Sequence, residues 1–459
     1  MLSLSFAEIA NKGISFITIA YLARVLQPEG FGIIGWANSF VVYFVFLVDL
    51  GFNVIGPREV AKFPDRLKNL VSNILSIKIS FSFILYAILV LVVMYIDKPN
   101  VTKIVILISG LNIFANAILL NWVFQGLEKM EIIALRQVLT SIMNLLGVII
   151  FVQNSNDIII AISVMIASLM MNSVWMLLYY VKSYGWFKVK IDWNLWKPLL
   201  LSSIPIAITI FITILYNNFA LSLLGIMKTD YEVGIYSAAF RVLAFALVPS
   251  GIIQNAFIPQ LSRNLNLEDK LKFSEKYILF TFIVGSIITS VLFAFSDFIV
   301  KIGFGDKYND SSFVLKLLMI AGILAYINVS FSAPLLSWGY ERKVLWAMLI
   351  GGVVNILLNF ILIPPLGQVG SGIAAISTEA TVLIGLAIIF YSAVQQLFLL
   401  NYLKVFSLSL ISCLIGYYLW NLGLNPIVSG FLIFALFIYL IFLFKIITIV
   451  EIKFYLKKN

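Results

Sequence analysis

Apolar residues fill this chain in long unbroken runs, with short polar interruptions between them. A bilayer core about 30 Å thick takes roughly 20 apolar residues per helical crossing. Fourteen runs approach that length: residues 5–24, 31–53, 71–96, 104–125, 138–153, 158–181, 198–224, 233–257, 277–299, 313–336, 344–363, 370–391, 404–422 and 427–449. The fifth is the shortest. Helix breakers lie between the runs, among them Gln27-Pro28-Glu29-Gly30, Pro57, Pro99, Asn154 to Asp157, Pro198, Gly303 to Gly305, Pro364-Pro365 and Asn425-Pro426. Because lipid offers no partner to an open backbone amide, each run is expected to be a helix. The pattern therefore predicts an all-α polytopic membrane protein.

The chain also repeats itself. Glu29-Gly-Phe-Gly-Ile-Ile-Gly-Trp-Ala-Asn-Ser39 returns as Tyr231-Glu-Val-Gly-Ile-Tyr-Ser-Ala-Ala-Phe-Arg241, and Gln125-Gly-Leu-Glu-Lys-Met130 returns as Trp338-Gly-Tyr-Glu-Arg-Lys343. Repeats at nearly constant offset are a mark of transporters built from duplicated halves. An even number of crossings separates the copies, so the halves run parallel. The expected organisation is an N-terminal six-helix lobe (1–181), a linker (182–197), a second six-helix lobe (198–392), an appended helix pair (404–449) and a tail (450–459). With Gly32 set against Gly234, Ser39 of the first copy becomes Arg241 in the second.

Composition sharpens this reading. Of 459 residues 62% are hydrophobic and only 11% charged, well under the roughly 25% charged share of soluble domains. The formal charge of +10 does not point to nucleic acid, because the cations sit in short loops between apolar runs. Arg58, Lys62, Arg66, Lys68, Lys129, Arg136, Lys182, Lys188, Lys190, Lys197, Arg263, Lys270, Lys272, Lys276, Arg342, Lys343, Lys404, Lys453, Lys457 and Lys458 fall on one side; Arg24, Lys98, Lys103, Lys228, Lys301 and Lys307 fall on the other. Positive residues are retained in the cytoplasm, which predicts a cytoplasmic-membrane protein with both termini inside. The first run lacks a cationic leader and a small-residue cleavage site and is expected to be a retained helix.

Histidine is absent and Cys413 is the single cysteine, which argues against transition-metal chemistry and a disulfide framework. No metal and no cofactor is expected, apart from a proton or sodium ion as a coupling ion. Gly370-Ser-Gly372 is followed by no lysine, there is no Walker motif or DxD pair, and the loops leave no room for a catalytic domain. The chain is not expected to be an enzyme.

Ionisable residues inside a span are costly and mark function by default. Glu8 and Lys12 are one turn apart and can form a structural or gating ion pair. Asp49 and Lys78 lie near the same ends of their spans and can pair with each other, Lys78 as fastener and Asp49 as a place in an ion path. Arg241 and Glu379 lie eight or nine residues into their spans, too deep for a short Glu side chain to reach water without a cavity. Arg24 and Lys316 sit closer to a boundary, where snorkelling is an alternative. Asp297, near a boundary, is expected to be solvated. Asn38, Asn217 and Asn218, with Asn11 and Ser39, can line a hydrated cavity or bond between helices.

At this point the residues resemble a known family. Leu22 through Ile34, Asp49-Leu-Gly-Phe52 with Arg58, Tyr236-Ser-Ala-Ala-Phe-Arg241, Phe304-Gly-Asp-Lys-Tyr308, Gly339-Tyr-Glu-Arg-Lys343 and Asn355 through Gly372 follow, in order, the polysaccharide transporters, the Wzx-type flippases of the MOP superfamily. One departure is Gln27, where that family usually has Gly before Pro-Glu-Gly.

The resemblance implies a flippase that carries an undecaprenyl-diphosphate-linked oligosaccharide, such as an O-antigen repeat unit, to the external leaflet by alternating access. It places Arg24 and Arg241 on cavity-facing helices, where guanidinium groups would suit a diphosphate; Lys316, read from its own place at the start of a run, is expected as a third cation of the site. Asp49 and Glu379 would serve ion coupling, and the appended helices would bound a groove for the polyprenyl tail. Partners would be membrane lipid and, in assembly, a polymerase and a chain-length regulator, with no nucleic acid. Alternatives from the same superfamily are a multidrug or toxin extruder and a lipid II flippase; from another class, a membrane-embedded O-antigen polymerase or glycosyltransferase.

Overall fold

A computed structural model of the chain describes residues 2–188, 193–262, 267–396 and 399–444. Helices follow one another with short connections: α1 (Leu2–Asp49), α2 (Phe52–Lys62), α3 (Leu67–Tyr95), α4 (Asn100–Gly110), α5 (Asn112–Ile118), α6 (Asn121–Gly126), α7 (Met130–Phe151), α8 (Ile158–Tyr184) and α9 (Trp193–Met227). Then come α10 (Asp230–Ala246), α11 (Val248–Leu261), α12 (Leu267–Ala294), α13 (Ser296–Phe304), α14 (Asp310–Ser337), α15 (Glu341–Val394), α16 (Leu399–Asn421) and α17 (Pro426–Leu443). Among the described residues, eleven helical stretches are long and apolar enough to cross a membrane. Two of them, 52 and 54 residues long, are broken, at Gln27 and at Gly367, and Val428–Ile441 adds a shorter apolar helix. With each broken stretch taken as two, the count reaches the fourteen crossings of the hydropathy pattern.

The two breaks have separate chemical causes. Within α1, Gln27 takes φ 62° and ψ 175° immediately before Pro28. Proline has no N–H for the helix ladder and its ring displaces the preceding turn, so the chain turns there and starts again. That φ and ψ combination is essentially glycine territory and costs about 1–3 kcal/mol for another residue. Gln27 stands where the resembling family usually has Gly. Gln27→Gly is therefore expected to stabilise the protein by about 1 kcal/mol after glycine's own entropy cost; an unchanged or lower thermal midpoint of the purified variant would contradict this. In α15 the turn falls at Gly367, with φ 55° and ψ −133°, two residues after Pro364-Pro365.

Two compact units result, residues 1–237 and 238–459. In the first, Phe52, Leu67, Val71, Trp122, Phe124, Tyr180, Phe187 and Trp196 form a buried cluster that ties α2, α3, α6, α8 and α9 together. In the second, Tyr277, Phe331, Val344, Leu386 and Phe390 pack α12, α14 and α15. The appended helices α16 and α17 close on α12 through Phe282, Val405, Cys413, Ile433 and Phe437.

Several cations counted above among loop residues lie on helices, among them Arg58 in α2, Lys182 in α8 and Lys276 in α12, and one is buried. Arg136 lies inside α7, 9% exposed, and its Nε has no hydrogen-bond partner among the described residues. The structure extends that helix back to Met130, which also removes the apparent shortness of the fifth run. The fourth run is three helical pieces, α4 to α6, rather than one.

Candidate functional site

The two copies of the repeated segment meet. Gly32 in α1 faces the start of α10 so closely that a Cβ built on it would stand 1.9 Å from the Asp230 carbonyl oxygen. Reciprocally, a Cβ on Gly234 would stand 1.9 Å from the Pro28 carbonyl oxygen. Gly32 and Gly234 are equivalent positions of the repeat, and so are Pro28 and Asp230, which makes the contact two-fold symmetric in kind. A turn further on, a Cβ at Gly35 would lie 2.6 Å from the Ser237 hydroxyl. Only glycine lets two backbones approach this closely, the principle behind small-residue crossings in membranes.

Around this crossing the polar groups are paired. Trp36 is fully buried, donates its indole N–H to the Ser222 carbonyl at 3.1 Å, and fills the space left by Gly225, where a Cβ would come within 1.9 Å of its ring. Ser39 donates to the Trp36 carbonyl at 2.8 Å, and the Ser222 hydroxyl donates to the Ser39 carbonyl at 3.1 Å. At the mouth, Lys98 reaches Asp230 at 3.7 Å and lies over the Trp36 ring at 5.0 Å. A capping box opens α10: the Glu232 carboxylate accepts from the Thr229 N–H at 3.2 Å, and the Thr229 hydroxyl accepts from the Glu232 N–H at 3.3 Å.

At the far end of α1, Asp49 and Lys78 form an ion pair at 3.0 Å with the Lys78 side chain fully buried and Asp49 13% exposed. The Asn53 N–H also approaches the Asp49 carboxylate, at 3.4 Å.

In the second unit a polar seam joins α14 to α15. The Asn328 amide donates to the Glu379 carboxylate at 2.7 Å and to its carbonyl at 3.0 Å. One residue back, the Thr378 hydroxyl accepts from Asn355 at 3.0 Å, and Asn359 donates to Asn355 at 2.8 Å. Asn355, Asn359 and Thr378 are buried. Carbonyl, hydroxyl and carboxylate oxygens of this kind suit a hard cation or a proton relay.

The remaining candidates divide as follows. Arg241 is half-buried in α10 and stands in the second unit, whereas Arg24, exposed in α1, stands in the first. Lys316 is paired with Asp297 at 3.0 Å, both partly exposed, so its charge is met locally. Asn217 and Asn218 donate to Thr213 and Ile214, one turn back in their own helix, at 2.9 and 3.1 Å. Asn38 is half-buried. Lys12 is exposed; the side chain of Glu8, its intended partner, lies outside the described residues, as do Lys190, Arg263 and the tail from 445. Asn11 bonds to Ser141 of α7.

Sequence reasoning passed over Asn328, Asn359, Thr378, Ser222 and Arg136 as site residues. The spacing Asn355 to Asn359 puts two amides on one face of an apolar helix and was a readable signal. Ser222 and Asn328 had none, since their partners lie 183 and 51 residues away.

Comparison with known proteins fits this architecture. A "Putative O-antigen transporter" of Escherichia coli (strain K12) is 24% identical over 387 residues, covering 83% of this chain and 93% of that protein. A "Probable low-salt glycan biosynthesis flippase Agl15" of Haloferax volcanii is 27% identical over 164 residues, 35% of this chain and 34% of that protein. Among solved structures, "Lipid II flippase MurJ, inward closed conformation" superposes with a TM-score of 0.76 at 14% identity, covering 96% of this chain and 98% of that chain; this likeness establishes the fold. The family described as "Polysaccharide biosynthesis protein" matches residues 1–265. That match spans more than half of the 459 residues, and the chain belongs to the polysaccharide biosynthesis protein family.

Proposed function

We propose that the chain is a flippase for undecaprenyl-diphosphate-linked oligosaccharide, working by alternating access across the cytoplasmic membrane with both termini inside. The observation that carries this reading is the similarity to the O-antigen transporter, which extends over 387 residues, 83% of this chain and 93% of that protein. The glycine crossing supports it, because such a close backbone contact at the break of α1 can seal the external end of a pathway while the other end is open. Multidrug extrusion is the poorer reading: Arg24, Arg241 and the buried Arg136 are cations, which favour an anionic cargo.

In this scheme Arg24 and Arg241 are each contacts for the anionic headgroup, since a guanidinium binds phosphate through paired, charge-assisted hydrogen bonds. Coupling falls to Asp49 and Glu379, with a proton or sodium ion as the driving species. A polymerase and a chain-length regulator would take over the product outside.

A deletion strain complemented with the chain tests the cargo. Wild type is expected to restore surface polysaccharide, and Arg241→Ala to reduce it at least about tenfold, the loss from one charge-assisted bond of roughly 1.5–3 kcal/mol, with normal membrane levels. Full restoration by Arg241→Ala removes that residue from the site. Unchanged polysaccharide on deletion, together with altered drug susceptibility, would favour the extruder.

A further inference from the structure

A second cationic feature lies away from the crossing, in the first unit. The start of α3 and residues 185–188, which follow α8, enclose a pocket of about 540 Å³ lined by Arg66, Lys68, Ser72, Asn73, Trp186 and Lys188. Its shape follows from the sequence. Phe187 is buried in the core with Leu67 and Tyr180; Trp186 stacks its ring on that of Phe187 at 6.0 Å and covers it from outside, while Lys188 is exposed. On α3, Leu67, Val71 and Ile74 are buried while Lys68 and Asn69 are exposed and Ser72 is half-buried, which gives the helix one apolar and one polar face.

The two walls are tied together. The Lys188 N–H donates to the Ser72 hydroxyl at 3.2 Å. Gly185 has φ 86°, and a Cβ there would stand 3.4 Å from the Lys68 ammonium, so Lys68 passes directly across the turn. The Arg66 guanidinium lies over the Phe63 ring at 5.3 Å. Three cations thus line one cavity without a carboxylate in its lining, and among the described residues none of the three is in a salt bridge. Like charges gathered this closely repel one another and are stabilised by an anion between them.

We infer that this pocket binds the phosphate headgroup of a lipid. Trp186, 74% exposed, and Phe63, 44% exposed, place aromatic surface at the rim, where indole and phenyl rings settle at headgroup level. Basic pockets beside membrane helices take anionic headgroups by the same combination. Three donors with Asn73 beside them satisfy several phosphate oxygens at once, while the acyl chains stay in the bilayer alongside α3.

The test uses the purified full chain in vesicles containing brominated phosphatidylglycerol or brominated phosphatidylcholine, with tryptophan fluorescence as readout. Phosphatidylglycerol should quench a component that Trp186→Phe removes. The triple variant Arg66→Gln, Lys68→Gln, Lys188→Gln should need at least about tenfold more phosphatidylglycerol for half-maximal quenching. A control that removes the same charge elsewhere, Lys103→Gln, Lys270→Gln, Lys301→Gln, should behave as wild type. Equal quenching by the two lipids, or wild-type behaviour of the first triple variant, overturns the proposal. Adding a polyprenyl diphosphate identifies the source: displacement of the brominated lipid assigns the site to the cargo's own headgroup, and persistence assigns it to bulk phospholipid. Displacement by inorganic phosphate at the same concentration would show that no lipid is required and overturn the assignment. None of these readouts depends on export, so failure here is distinct from failure of the flippase reading.

Discussion

Gly32→Val is expected to abolish polysaccharide export while the protein still reaches the membrane. A first side-chain carbon at this position would meet the Asp230 carbonyl at 1.9 Å, and Val adds two methyl groups beyond it. No rotamer relieves a clash between Cβ and backbone, so the helices must separate. Overpacking of this kind costs typically 1–3 kcal/mol, and about 1.4 kcal/mol shifts a two-state equilibrium tenfold, so the closed crossing should lose about a tenfold to hundredfold share of its population. The reciprocal Gly234→Val should do the same. Ser39, 2% exposed, reports the change: in a Cys413→Ser background, Ser39→Cys should resist an impermeant maleimide added from outside and become reactive when Gly32→Val is added. Normal export by Gly32→Val, with the Ser39→Cys thiol still protected, would refute the crossing as a seal. The opposite perturbation is also available. A Cβ at Gly35 would lie 3.4 Å from that of Ser237, close to disulfide spacing, so Gly35→Cys with Ser237→Cys should lock the crossing and stop export until a reductant is added.

Asp49→Asn is expected to be the most destabilising single change at a charged position. Lys78 is fully exposed to nothing but protein, at 0% accessibility, with Asp49 at 3.0 Å. Removing one partner of a buried pair leaves an uncompensated charge and costs about 3–5 kcal/mol. Replacing both, as Asp49→Asn with Lys78→Met, should recover most of that loss, because the apolar pair no longer has a charge to desolvate. The fraction of monodisperse protein remaining after heating decides it. If the single and double variants lose equal stability, the pair is not what fastens α1 to α3. If the double variant is stable but fails to export under an imposed ion gradient, Asp49 has a part in coupling beyond fastening.

Where the sequence was legible, local physics was in control. Most of the apolar runs and the break at Gln27-Pro28 depend on a few adjacent residues, and they stand in the structure where the pattern places them. Asp49 and Lys78 could be matched because both lie near the same end of successive spans. Arg136 was lost because hydropathy treats a cation as a loop marker and cannot see that packing encloses it. The glycines at 225 and 234 carried no signal as contact points: the Trp36 ring at Gly225 and the Pro28 carbonyl at Gly234 reach them from about two hundred residues away in the chain. Likewise Asn328 reads as an isolated polar residue until α15 brings Glu379 to it.

The reciprocity of the glycine crossing has a mechanical consequence. Pro28 against Gly234 and Asp230 against Gly32 are the same contact made twice, and both depend on one distance between α1 and α10. Spreading the helices by the width of a methyl group breaks the two together, so intermediate separations retain neither and gain no compensating contact. Packed surfaces of this sort settle into discrete arrangements rather than deforming by degrees. The crossing of α1 and α10 should accordingly behave as a snap fastener, shut or released as a whole.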